Sequence, residues 1–384
     1  MNTTSKPKIV RMTTIPGSMR GMTGGQFAFM RQFYEIIPVA AADKCFAEVM
    51  SEQGIERYFA IDMTRQITLT HDIKAVFQLV KILKKEKPDI VHTQTPKAGI
   101  VGMMAAWLAG VPIRMHTITG LPLLVETGFR RFVLNWVERF TNLFATNVYP
   151  NSKAMMKIMV DNRLVSGKKV KVLANGSSNG INTKRFSPDG DFEKMQKQED
   201  VFTFVFVGRI VKDKGINELT HAFQRLTNEY SNIRLVLVGV FEDKLDPIND
   251  ESRKIIESNE RIEAVGGKRD VRPYYAVADA LVFPSYREGF PNVVMEAGAM
   301  GLPSIVTDIN GCNEIIIPGE NGEIIPVQNE DALYNKMKEW IDNPDKVKSM
   351  AQNAREMITS RFEQQTVWDA LHAEYDSLLT KKKR

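Results

Sequence analysis

The sequence predicts an α/β chain made of two doubly wound halves, each a parallel sheet wrapped by helices. Three observations predict it. Strand-like runs alternate with helical spacings along most of the chain. Glycines follow the leading strand of each half. A segment rich in Asn, Gly and Ser interrupts the alternation near the middle, and the alternation then restarts.

In the first half, Lys8–Thr14 is a short β-branched run followed by Pro16, Gly17, Gly21, Gly24 and Gly25. Gln26–Ile37 has helical spacing, so the opening reads as strand, glycine loop and helix. A helix over His71–Lys85 precedes a strand at Asp89–Thr93. Lys97–Ala109 reads as helix, Ile113–Thr117 as strand, Phe129–Phe140 as amphipathic helix and Thr146–Pro150 as strand. Ser152–Asn162 then reads as helix and Val170–Leu173 as strand. Asn175–Gly190 carries a proline and no apolar period, as a linker would. Beyond it, Val201–Val207 is a strand, Ile216–Glu229 a helix and Ile233–Val238 a strand. Arg261–Val265, Ala280–Phe283 and Pro303–Thr307 are further strands, with a helix over Asn292–Met300 between the last two. From Glu330 onward the spacing is helical. The result is two Rossmann-like halves. Facing each other, they would leave a cleft, and parallel sheets bind ligands beyond their strand C-termini.

The 384 residues, 43% hydrophobic and 25% charged, exclude disordered, collagen-like and disulfide-scaffold chains. No apolar run reaches membrane-spanning length, and MNTTSKPKIVRMTT has no apolar core of a signal peptide. Cys45 and Cys312 read as ordinary thiols of a reducing, cytoplasmic compartment. The five histidines form no H-x-x-x-H pair, and the one D-x-D, Asp189 to Asp191, lies in the linker, so no metal site is expected. Charge is unevenly shared. Residues 1–186 carry 26 Lys+Arg against 12 Asp+Glu; the remainder carries 25 against 34. A basic half implies either an anionic partner or a solvated face.

The most informative segment is Pro284–Glu296, PSYREGFPNVVME. A buried strand ends at Pro284, a polar loop follows, and a helix opens near Pro291, where a missing N–H costs nothing. Free N–H groups and the positive helix end there suit an anion. Gly289 allows close backbone approach. Asn292 and Glu296 share one helix face. Glu288 and Glu296 flank this phosphate-like site, where carboxylates would accept hydrogen bonds from sugar hydroxyls. The second segment is Val207–Gly215, VGRIVKDKG. Arg209 and Lys214 follow a strand C-terminus, where two cations can pair a diphosphate; Lys212 is a weaker third.

GRIVKDKG and REGFPNVVMEA resemble the paired signatures of the retaining GT-B glycosyltransferases of family 4, G-R-x-x-x-x-K-G and then E-G-x-x-x-x-x-x-E. NGINTKRFSP resembles the family's linker, with Asn182 where Asp is commoner. The likeness covers nearly the whole chain and is strongest to enzymes of capsule, O-antigen and exopolysaccharide assembly. It implies the GT-B fold, with an N-terminal acceptor domain over 1–180 and a nucleotide-sugar domain over 181–360. A C-terminal helix over 361–384 would pack back on the first. It implies a UDP-sugar donor and a saccharide acceptor carried on a lipid diphosphate, with retention, no metal and no cofactor. Carried over residue by residue, Arg209 and Lys214 neutralise the leaving diphosphate, Glu288 holds the donor sugar and Glu296 holds the ribose. The backbone of Gly289, Phe290, Pro291, Asn292 and Val293 touches sugar and phosphate, and Lys268–Asp270 lie toward the base. Gly24 and Gly25 match the family's donor-side glycine loop.

In RMHTITGLP the sequence departs from the family. Thr119 stands where many relatives have His, and His116 lies three residues earlier, facing the other side if the strand continues. Thr119 is then a donor-sugar candidate. His92, Lys97 and His116 are acceptor-side candidates, with a satisfied structural histidine the alternative for His92. Phe129, Phe132, Val133, Trp136, Val137 and Phe140 form a helical stripe flanked by Arg130, Arg131 and Arg139. Such a stripe packs on its own sheet or lies on an anionic membrane surface. With the basic run Lys381–Arg384, it allows peripheral association with the inner face of the plasma membrane. The competing functions are a nucleotide-sugar epimerase of the same fold, for which no acid/base pair at a sugar carbon is evident, and a non-enzymatic anion binder. No RNP-like strand or helix-turn-helix signature supports nucleic acid.

Overall fold

The structure is a computed structural model and describes residues 6–64, 69–124, 126–244 and 246–382. Met1 to Ser5 of the opening segment, and Lys383 and Arg384 of the basic C-terminal run, lie outside the described residues. The chain divides into two compact units, Met1–Gly180 with Gln365–Arg384, and Ile181–Gln364.

The first unit opens with β1 (Lys8–Met12), α1 (Pro16–Thr23), α2 (Gln26–Met30), β2 (Glu35–Ala41), α3 (Phe46–Glu52) and β3 (Phe59–Ile61). It continues with α4 (Leu69–Glu86), β4 (Ile90–Gln94), α5 (Pro96–Leu108) and β5 (Ile113–Ile118). Then come α6 (Gly128–Phe144), β6 (Asn147–Pro150) and α7 (Lys153–Asp161). The second unit holds β7 (Phe202–Val207), α8 (Ile216–Thr227), β8 (Ile233–Val238), α9 (Asp250–Ser258) and β9 (Ile262–Gly266). It continues through α10 (Arg272–Val277), β10 (Ala280–Phe283), α11 (Asn292–Ala299) and β11 (Ser304–Thr307). It ends with α12 (Cys312–Ile315), β12 (Gly322–Ile325), α13 (Glu330–Asp342) and α14 (Pro344–Phe362). The last helix, α15 (Gln364–Lys382), falls almost wholly in the first unit.

Among the described residues each unit has one six-stranded sheet, ordered β3-β2-β1-β4-β5-β6 and β12-β11-β10-β7-β8-β9. All named pairings are parallel. Both are the same doubly wound order, reversing direction between β1 and β4 and between β7 and β10. Strands covered on both faces read as near-continuous apolar runs, and FTFVFV, IRLVLV and ALVF do, with Thr203 and Arg234 their polar positions. In the first unit β1 carries a buried exception, Arg11. Its guanidinium donates to Gln26 Oε1 (2.7 Å), Gln94 Oε1 (3.1 Å) and Tyr375 Oη (3.1 Å), so α15 is tied to the sheet by a polar core as well as by Leu371 and Leu379.

Four expectations are corrected. Pro16–Thr23 is helix α1 rather than loop, with Pro16 at its first turn. The helix from Gln26 stops at Met30, and Glu35–Ala41 is strand β2, although its Pro38 has no N–H to give to the ladder. Val170–Leu173 is no strand but makes one bridge, Val170 to Val148. The α6 stripe does not pack on the sheet as a whole: Phe129, Phe132, Trp136 and Phe140 are 78%, 57%, 43% and 45% exposed. Glu138, Thr141 and Asn142 face inward instead.

Candidate active site

In the second unit the candidate residues gather where the strand order reverses. Arg209 and Lys214 follow β7, and Glu288 follows its neighbour β10. The loop after β7 closes in one turn, Lys212–Lys214, and ends at Gly215 in the left-handed region, φ 70°. A Cβ there would sit 2.1 Å from the carbonyl oxygen of Pro284. Glycine thus lets the β7 loop lie against the end of β10 and delivers Lys214 to it. Lys214 pairs with the Glu288 carboxylate, and its ammonium lies 5.4 Å from the centre of the Phe283 ring. Ser285, fully buried, donates to Glu288 Oε1 at 3.0 Å. The loops are cross-braced: Tyr286 N donates to Asp213 O (2.9 Å), and Arg287 pairs with Asp213 (2.6 Å).

Gly289 to Val293 lead into α11. Pro291 sits at the helix cap rather than inside the first turn, and among the described residues no side chain caps this end. Its first N–H groups therefore remain available to a ligand, along with the positive end of the helix. Gly311 at the start of α12, φ 77°, has no room for a Cβ, which would lie 2.7 Å from Phe290 Cα. That packing holds the loop in place. Four residues on from Asn292, Glu296 is half-buried and accepts from Tyr275 Oη at 3.2 Å. Burial pushes its carboxyl up to about 7.

Arg209 stands apart from Lys214, pairing with Glu242 in the loop after β8. The two expected clamp cations are thus each held by a carboxylate, Glu288 and Glu242. Of the Lys268–Asp270 segment, Lys268 is exposed, and Asp270 pairs with Arg272 at 2.6 Å, which holds its carboxyl below the usual range.

The remaining candidates lie in the first unit. Gly25, φ 76°, joins α1 to α2, and the Gly24 carbonyl accepts from Asn179 Nδ2 at 3.1 Å. Thr119 is half-buried, just past the end of β5, so the alternation expected between positions 116 and 119 stops before it. His92 is 1% exposed, with Nδ1 2.6 Å from Tyr375 Oη and Nε2 2.7 Å from Thr117 Oγ1. His116 is 2% exposed, with Nδ1 2.8 Å from Thr93 Oγ1, and lies under Gly99 of α5. Burial lowers its ring to about 4. Both rings are thus buried and hydrogen-bonded within the first unit. Lys97 is paired with Asp72, its side chain 7% exposed.

Sequence reasoning missed Ser285, Tyr275, Asp213 and Glu242. Tyr275, Asp213 and Glu242 act through partners far along the chain, so no local spacing marks them, and Ser285, three residues before Glu288, is marked only by the bond its buried hydroxyl makes.

The geometry can be set beside known proteins. The Glycosyl transferases group 1 family matches residues 189–357, and the Glycosyl transferase 4-like domain matches residues 35–176. The capsular polysaccharide biosynthesis glycosyltransferase CapM of Staphylococcus aureus is 31% identical over 97% of this chain and 97% of its own length. The chain belongs to the group 1 glycosyltransferases. A second relative of this glycosyltransferase is the UDP-Gal:alpha-D-GlcNAc-diphosphoundecaprenol alpha-1,3-galactosyltransferase of Escherichia coli, 30% identical over 81% of each chain. The crystal structure of Anabaena Alr3699/HepE in complex with UDP and glucose shares the GT-B fold, with a TM-score of 0.79 and 19% identity over 97% of this chain and all of that one. Among the described residues of this glycosyltransferase, no helix is long and apolar enough to cross a membrane.

Proposed function

We propose that the enzyme transfers a sugar, with retention and without a metal, from a UDP-sugar to a saccharide carried on a lipid diphosphate, in bacterial surface polysaccharide assembly. The observation that carries this reading is the Lys214–Glu288 pair at the β7/β10 reversal, beside the uncapped start of α11. A cation and a carboxylate held together there match a donor with an anionic and a hydroxylated part. The diphosphate takes Lys214, Arg209 and the N–H groups of α11; the sugar hydroxyls take Glu288; the ribose takes Glu296. The ion pairs with Glu288 and Glu242 hold the two cations in place until diphosphate replaces those carboxylates as their partner. As the glycosidic bond breaks, charge grows on the β-phosphate, and these donors stabilise it without reorganising. The leaving phosphate then helps to deprotonate the acceptor on the same face. The names of the two relatives, one capsular and one acting on a diphosphoundecaprenol-linked sugar, support the acceptor class. Peripheral membrane association belongs to this reading, because such an acceptor sits in a bilayer.

The test is a panel of nucleotide sugars with and without a lipid-diphosphate-linked saccharide, following nucleotide release. Stimulation by the lipid acceptor with one UDP-sugar, unchanged by EDTA, is expected. NMR of the product should show the donor's anomeric configuration. An inverted product, or release that EDTA abolishes, would remove retention or metal independence respectively.

A further inference from the structure

The first unit contains a cavity of about 710 Å³ that the donor chemistry does not use. It lies among α4, α5 and α6, and its walls are hydrocarbon, with Val76, Ile100, Val101, Met104, Leu134 and Val137 among them. Its polar residues are few. Thr14 and Thr95 stand at the C-terminal ends of β1 and β4, where this sheet reverses, and their hydroxyls lie 2.7 Å apart. Beside them is the Lys97–Asp72 pair. Glu138 is 5% exposed, and its Oε2 has no hydrogen-bond partner among the described residues. Away from the sheet, Ile73, Phe77 and Leu108 line the cavity while remaining 57%, 60% and 44% exposed. Next to Leu108, Trp107 contacts Phe144 of α6 at 5.2 Å between ring centres, so the apolar mouth runs on to the exposed aromatic face of α6.

A volume of this order suits a small-molecule site. A nucleotide or a free sugar would lose hydration on these walls and regain few hydrogen bonds. A hydrocarbon chain would gain about 25 cal/mol for each Å² it buries. The polarity gradient selects among chains: the cation Lys97 sits at the sheet end and the exposed aromatics at the mouth.

We infer that this cavity binds the phosphate-proximal part of the isoprenoid chain of a lipid-diphosphate-linked acceptor, with the diphosphate toward Lys97 and the remaining chain leaving past Phe77 and the α6 face. The inference rests on the lipid-linked acceptor reading above and adds the site that reads the lipid.

The probe is an isoprenyl diphosphate carrying a diazirine in its chain, photolysed with the full-length enzyme and mapped by mass spectrometry. Labelling should fall on residues 69–86, 96–108 and 128–144. It should drop at least tenfold in I100W and L134W, which fill the cavity, and in F77S, which changes the exposed mouth and spares the core. With long-chain lipid-linked acceptor, KM should rise at least tenfold in the same variants. Donor hydrolysis by water and transfer to a soluble saccharide acceptor that carries no isoprenoid chain should stay within twofold. Labelling elsewhere, labelling undiminished in the variants, or competition by phosphatidylcholine as strong as by unlabelled isoprenyl diphosphate would overturn the inference. Equal losses with lipid-linked and chain-free acceptors would overturn it too. A wild-type enzyme that transfers to no lipid-linked saccharide defeats the acceptor reading; the labelling pattern judges the cavity independently.

Discussion

The two units share one strand order and put opposite chemistry at the same topological point. At the β7/β10 reversal stand Lys214, Glu288 and Ser285, with the bare start of α11 beyond. At the β1/β4 reversal stand two threonines and the polar end of a hydrocarbon cavity. Topology fixes where a ligand meets a doubly wound sheet; the loop residues fix what that ligand is. In the second unit, short loops braced by Tyr286, Arg287 and Asp213 keep charges in place. In the first, α5 and α6 supply apolar walls and leave an aromatic face in water.

The sharpest way to break this contrast is to remove the cation at the second reversal. Lys214→Ala should lower kcat by about 10²–10³, because a preorganised donor to developing charge is lost. Arg209→Ala should have a smaller effect than Lys214→Ala, since Arg209 is about half exposed and pairs outside the β7/β10 reversal. Glu288→Ala should abolish transfer while calorimetry finds nucleoside diphosphate binding nearly intact. Normal turnover in Lys214→Ala would place the diphosphate elsewhere.

The first unit answers with Glu138, a carboxyl in a hydrocarbon wall. Burial raises it to about 7. Its folded value lies above the unfolded one, so between about pH 4.5 and 7 the native state holds the proton that the unfolded chain has released. Stability should fall across that window, by up to about 3 kcal/mol. The Lys97–Asp72 pair lines the same cavity. E138Q should match wild type at pH 5 and exceed it at pH 8 in denaturant melts; equal pH slopes would mean that Glu138 is solvated.

How much of this the sequence carried differs between the units for the same physical reasons. The second unit was legible because its site is local: G-R-x-x-x-x-K-G and E-G-x-x-x-x-x-x-E place Lys214, Glu288 and Glu296 on two loops and one helix start. The buried strands FTFVFV and ALVF announced themselves by continuous apolar runs. The first unit was less legible. Strand β2 carries Pro38, and β3 has three residues, too few for a period. His92 and His116 sat in suggestive segments, yet the residues that bury and satisfy His92 include Tyr375, 283 positions away. The α6 stripe repeats like any core-facing helix; only the fold reveals that its aromatic side is left uncovered.

Glu296 sharpens the comparison at the next level of effect. Raised to about 7 by burial, it must ionise to act as a full acceptor for ribose hydroxyls. Binding that favours the ionised form releases a proton, so UDP affinity should rise as pH increases from 6 to 8. A charge-assisted hydrogen bond is worth about 1.5–3 kcal/mol, so Glu296→Ala should weaken UDP at least tenfold at pH 8. Glu296→Gln should flatten the pH dependence. A wild-type affinity that falls with pH would mean that Glu296 works as a neutral donor.

The smallest expected effect belongs to the arginines beside the aromatic face. Arg130 is 81% exposed at its side chain, and Arg139 lies over the Trp136 ring at 5.5 Å. If this face meets an anionic leaflet, each arginine adds about 1 kcal/mol, fading within a Debye length of about 8–10 Å. Arg130→Gln, Arg131→Gln or Arg139→Gln should each weaken sedimentation with anionic vesicles about fivefold at low salt, and less as salt rises. The aromatics predict a different signature. Trp136→Ser or Phe132→Ser should weaken binding to anionic and neutral vesicles alike, because hydrocarbon burial does not depend on lipid charge. Donor hydrolysis should be unchanged in all five variants, since none lies at the β7/β10 reversal. Wild-type binding that is equal for anionic and neutral vesicles would remove the electrostatic part and leave the apolar one. No binding to either would mean that the exposed face of α6 meets a protein rather than a bilayer.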